Sequence, residues 1–147
     1  MRPSDVFADP AHQEHCMPSR SGKWAFVAMP FAEGFDELYQ NGIVGAAADA
    51  GLELIRLSRL PVAHIVEQMK AGIDRADLVI AVVTGRNPHV FFEVALAFAA
   101  RKPCIIMADK EEDFEIFQEE YPCLIYDSSI ANLRRSLGKE IGHLLSG

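Results

Sequence analysis

From Lys23 onward, short β-rich apolar runs alternate with stretches in which apolar positions recur every three or four residues. Residues 24–29 read as a strand, and 36–50 as a helix with Leu38, Ile43, Val44 and Ala47 on one face. Gly51 follows as a helix stop, because glycine readily takes the left-handed conformation that closes a helix. Residues 52–57 form the second expected strand and 62–73 the second helix. The third strand, 77–83, is an unbroken apolar run, which predicts burial on both faces. A helix around Glu93 comes next, then a strand over 104–107, a short helix in an acidic stretch, a strand over 124–126 and a last helix over 130–145. Strict alternation of strand and helix implies a parallel sheet with right-handed crossovers and helices on both faces. The expected fold is therefore α/β: a three-layer, flavodoxin-like, doubly wound parallel five-stranded sheet in the order 2-1-3-4-5. Residues 1–22 carry prolines and polar residues without a sustained period, and read as a flexible lead-in to a single domain over 23–147.

Composition narrows the function classes. A chain of 147 residues, half of them hydrophobic, supplies one full core. Its net charge of −7 argues against a surface built for a phosphate backbone, so no nucleic-acid partner is expected. Much of that charge lies in 109–120, where seven acids meet Lys110 alone; a solvated loop or helix face is the reading. No apolar run is long enough to cross a bilayer, and no basic region followed by a long apolar stretch opens the chain. The expectation is a cytoplasmic protein with no membrane partner. The three cysteines, Cys16, Cys104 and Cys123, fit no thiol motif and are expected to be reduced. Pro103-Cys104 and Pro122-Cys123 open the fourth and fifth strands in the same phase, which could make those two thiols neighbours in the packing. His12, His15 and Cys16 lie close together, but no second ligand cluster follows at matching spacing, so neither a metal nor a cofactor is expected.

Open doubly wound sheets bind ligands beyond the carboxyl ends of their strands, where strand order reverses. Here that crevice lies between the first and third strands. The loops meeting there are 29–35, with Met29 and Phe31, and 84–89, with Gly85, Asn87 and His89. Gly85 allows a tight turn with close approach of another group. Asn87 suits a helix N-cap and Pro88 the first helical position, and the free N–H groups of that helix end would favour an anion. Within the helix, Glu93 is the only acidic residue among apolar neighbours, and a lone carboxylate there needs a partner or a cavity. His89 stands four residues earlier, in contact range on the same face. The two form either a catalytic pair that keeps the carboxylate ionised or a partly exposed pair at a helix start. Phe31, Phe35 and Tyr39 could stack against a planar base or pack in the core. No dinucleotide fingerprint, P-loop or nucleophile elbow is present.

Three blocks in order, 26–31 (FVAMPF), 76–81 (ADLVIA) and 84–93 (TGRNPHVFFE), followed by Lys102-Pro103, resemble the nucleoside 2-deoxyribosyltransferase-like and TIR-like superfamily across roughly 24–107. That resemblance implies a flavodoxin-like fold and chemistry at an N-glycosidic bond. Glu93 would be the catalytic glutamate, the nucleophile in the deoxyribosyltransferases, and His89 or Asp36 the nearest proton donor to the departing base. Met29, Phe31 and Asn87 would shape the pocket, with Arg56 near a phosphate. The chain departs from the family where Val82 and Ser58 replace frequent aspartates, His89 a second asparagine, and Val94-Ala95 a Leu-Gly pair. Such losses point to activated substrates such as NAD, whose nicotinamide leaves already neutral. The implied partners are a small-molecule nucleoside, nucleotide or NAD and a second copy of the chain in a homo-oligomer. The alternative class is a catalytically silent TIR-like module that senses a nucleotide or oligomerises.

Overall fold

The structure, a computed structural model, describes residues 22–30, 33–57, 64–127 and 129–146. His12, His15 and Cys16 of the lead-in, Phe31 and Ser58 lie outside the described residues. Five strands, β1 (Trp24–Ala28), β2 (Glu53–Ile55), β3 (Leu78–Val82), β4 (Cys104–Ala108) and β5 (Cys123–Ile125), pair in parallel in the order β2-β1-β3-β4-β5. The helices are α1 (Val44–Ala50), α2 (Ile65–Arg75), α3 (Pro88–Ala99) and α4 (Ile130–Ser146). The architecture is the expected flavodoxin-like one.

Side chains alternate across a strand with period two, and that alternation builds the three layers. Phe26, Ala28, Val79, Ala81, Cys104 and Ile106 point to one face, where Met69 and Ile73 of α2 and Val90, Val94 and Ala97 of α3 cover them. Ala25, Val27, Leu78, Ile80, Val82, Ile105 and Met107 point to the other, under Ala46 and Ala47 of α1 and Leu133, Leu137 and Ile141 of α4. Every residue of β3 is fully buried, so its unbroken apolar run did mark a strand covered on both faces. Each large side chain in such a strand contributes about 1.5–3 kcal/mol by leaving water.

Several boundaries differ from the sequence reading. The expected helix over 36–50 is present with those bounds, but its middle, Leu38–Ile43, is π-helical before it runs into α1, and a 3-10 turn at Glu33–Phe35 precedes it. Gly51 does close it, at φ 68°, with the Leu52 and Gly51 N–H groups bonded back to the Ala47 and Ala48 carbonyls. The second strand shortens to Glu53–Ile55, which pair with Trp24, Ala25 and Phe26 of β1. Helix α2 extends to Arg75, and the acidic stretch forms two 3-10 turns, Glu111–Asp113 and Glu115–Phe117. Register offsets the two thiols without parting them: Cys123 pairs with Ile106, two residues along from Cys104 on the same face, and both pack in one core cluster. Burial pushes the Cys104 thiol up to about 11, with a hydrogen bond to Tyr121 opposing the shift, so it is an inert packing group.

Candidate active site

Helix α3 begins where β3 leaves the sheet, at the carboxyl edge. Between them the chain makes a 3-10 turn at Thr84–Arg86 in which Gly85 and Arg86 both take left-handed backbone angles, φ 76° and 55°. Gly85 does so freely; for Arg86 the conformation costs about 1–2 kcal/mol and must be held by its surroundings. Asn87 then caps the helix as expected. Its side-chain oxygen accepts from the His89 N–H at 2.9 Å and the Val90 N–H at 3.4 Å, while Pro88 occupies the first turn. The cap corrects one expectation. The N–H groups thought free for an anion are taken by Asn87, and the Gly85 N–H is taken by Asp113 Oδ2 at 3.0 Å.

Glu93 lies on the buried side of α3 with Val90, Val94 and Ala97, and keeps 7% exposure. Among the described residues no hydrogen bond or ion pair reaches its carboxyl. Burial alone pushes its pKa up from 4.5 to about 8, which favours the protonated carboxyl at neutral pH. The contact expected between His89 and Glu93 is not an ion pair here. His89 is exposed, one turn nearer the helix start and about 40° around the axis. With Pro88 and Phe92 it lines a hollow of about 270 Å³ whose opposite wall is Ile65, Val66 and Met69 of α2. Glu93 follows Phe92 directly but is not itself among the residues that line this hollow.

Across the sheet edge, Met29 is buried after β1, packed with the face that carries α1 and α4. Tyr39 is fully buried, and the Arg56 guanidinium lies 4.3 Å from its ring centroid. Arg56 is therefore stacked on an aromatic at the carboxyl end of β2, and Tyr39 serves as packing. Phe35 is half-buried against the same core, and Asp36 is exposed. Val82, where the resembling family often has an acid, is fully buried and apolar.

Sequence reasoning missed three groups. Asp113, from the stretch read as solvated, binds the Gly85 turn. Thr84 and Tyr126 share a 2.6 Å hydrogen bond between the turns that follow β3 and β5. Gln68 of α2 buries its side-chain oxygen with no described partner, a group that ordinarily costs about 1–3 kcal/mol to leave unmet. Only unpaired polarity within an apolar helical face could have flagged Gln68, and nothing local flags the others. Among the described residues no cluster of ligands could hold a metal. No described helix is long and apolar enough to cross a membrane.

The five-stranded parallel sheet in this order, with its flanking helices, is a fold the chain shares with solved structures of nucleoside 2-deoxyribosyltransferase-like architecture. Among solved structures, the chain is similar to a CMP N-glycosidase, BcmB, from Clostridium botulinum, with a TM-score of 0.62 and 17% identity over 78% of this chain and 98% of that one. It is also similar to a 2-deoxyribosyltransferase from the psychrotolerant bacterium Bacillus psychrosaccharolyticus, with a TM-score of 0.55 and 12% identity over 78% and 95% of the two chains. No family model matches the sequence, and no curated protein matches it.

Proposed function

We propose that the protein cleaves or transfers an N-glycosidic bond of a nucleoside, nucleotide or NAD-like substrate, with Glu93 as the nucleophile. The observation that carries this reading is the placement of Glu93: buried, without a described partner, and next in the chain to Phe92, which lines a hollow between α2 and α3, in a sheet built like those of two enzymes named for nucleoside chemistry. A carboxylate there would meet the anomeric carbon as the base departs through an oxocarbenium-like state. The C–N electron pair leaves with the base, and water or a second acceptor then releases the sugar from the glutamyl ester. Glu93 must first lose its proton, which makes its raised pKa part of the mechanism rather than incidental. Apolar Ile65, Met69 and Phe92 suit the planar base, and His89, exposed at the rim, is the candidate to protonate it. A cytoplasmic homo-oligomer belongs to the same proposal, and light scattering of the purified chain checks the assembly.

Chromatography of free base released from a panel of nucleosides, nucleotides and NAD tests it, comparing wild type with Glu93→Gln. The expected loss in the variant is at least ~10³-fold, the scale on which removing a nucleophile acts. Release that persists unchanged in Glu93→Gln removes Glu93 from the reaction. The silent-module reading draws on the apolar Val82, and it gains if no compound on the panel yields base while one still binds.

A further inference from the structure

The turn after β3 is anchored from outside. One carboxylate covers both of its left-handed residues: Asp113 Oδ2 accepts the Gly85 N–H at 3.0 Å, and Asp113 Oδ1 lies 3.4 Å from Arg86 Nε. Arg86 also donates from Nη2 to the Glu112 carbonyl at 3.0 Å. The acid is largely covered, its side chain 14% exposed against 60% for Arg86. Its own position is fixed twice. Phe114, the next residue, is buried in the core beneath α3, and the Phe117 ring meets Phe91 of α3 edge-on with centroids 5.1 Å apart. On the other flank of the turn, the Thr84 hydroxyl meets the Tyr126 hydroxyl, and the Tyr126 N–H is bonded to the Ala108 carbonyl.

We propose that Asp113 is a positioning residue for Glu93: by bonding Gly85 and pairing with Arg86 it holds the β3 turn, and through it the capped first turn of α3, in one conformation. The inference rests on the glycosidase reading for its catalytic consequence, since a misplaced carboxylate loses rate more than binding. Asp113 touches no reacting atom. It acts through Gly85, Arg86 and Asn87, and the acidic stretch that supplies it is a structural strut packed on the catalytic helix.

The test measures base release by wild type, Asp113→Ala, Asp113→Asn and Glu119→Ala, an exposed acid of the same segment, with amide hydrogen exchange followed over residues 84–93 in each. Asp113→Ala is expected to lower kcat by up to about 10²-fold with KM little changed, and to speed exchange at Gly85 and Arg86. Asp113→Asn keeps an acceptor for the Gly85 N–H and is expected to recover most of both, while Glu119→Ala matches wild type. Unchanged kcat and exchange in Asp113→Ala, or a loss confined to KM, overturns the proposal. If Asp113→Ala does not fold, Arg86→Ala breaks the pairing from the exposed side and must show the same kcat loss on a smaller scale; no loss there also overturns it. A wild type that releases no base from any substrate sinks the glycosidase reading alone. Exchange then judges the clamp: faster at Gly85 in the alanine variant and not in the asparagine variant supports it, and no difference ends it.

Discussion

Helices α2 and α3 start on opposite walls of one hollow, and they start differently. At α3, Asn87 binds two N–H groups and Pro88 fixes the first turn, so local sequence alone defines where the helix begins. At α2, the N-cap is His64 in a left-handed conformation, φ 72°, with no side-chain cap bond among the described residues and an exposed Glu67 carboxylate 3.7 Å away. The helix that carries Glu93 is thus locally specified, while its neighbour is held by packing of Met69 and Ile73. A site assembled from the two has one preset wall and one that depends on tertiary contacts.

The largest test of that contrast is electrostatic. Glu93 titrates near 4.5 when the chain is unfolded and near 8 when folded, so between those values the folded state holds the extra proton. Stability therefore falls as pH rises from about 4.5 to 8, by on the order of several kcal/mol in total. Denaturant unfolding at pH 5 and pH 8.5 measures the slope, and Glu93→Gln is expected to flatten it. A wild-type profile as flat as the variant's would mean that the carboxyl is solvated or paired after all. The catalytic counterpart has the opposite direction: kcat/KM should climb with pH toward an apparent pKa near 8, because only the carboxylate attacks. A fall over the same range would assign Glu93 the role of acid.

A smaller effect tests the preset wall. Asn87→Ala removes the acceptor for two N–H groups and is expected to cost about 1 kcal/mol, read as a drop of a few degrees in Tm. Base release should fall with it, since the first turn of α3 loosens. No change in either would erase the distinction between the two helix starts. The smallest effect belongs to the other wall: His64→Gly relieves a left-handed residue and is expected to raise stability by at most ~1 kcal/mol, measured by the same denaturant titration. Destabilisation there would show that the His64 conformation is supported by its surroundings.

Much of the fold was legible because its signals are local. Apolar runs over 78–82 and 104–108, a capping asparagine with proline behind it, and a closing glycine at 51 each announce an element without reference to distant residues. The π-helical segment was not legible, since its residues fit an ordinary amphipathic helix and only packing extends the hydrogen bonds by one residue. In the site, Glu93 stood out as a lone acid on an apolar face. Its expected pairing with His89 followed from spacing, and spacing does not tell which of two neighbours faces solvent.

Periodicity and single-residue chemistry thus determined the alternation of strand and helix, the start of α3 and the choice of Glu93, because those properties depend on residues a few positions apart. Tertiary structure decided what surrounds that residue: that its carboxyl is desolvated and has no partner among the described residues, that Asn87 spends its cap on the backbone, and that Asp113 reaches across 28 positions to the Gly85 turn. Desolvation and long-range hydrogen bonds are properties of an enclosed volume. No local window of sequence contains them.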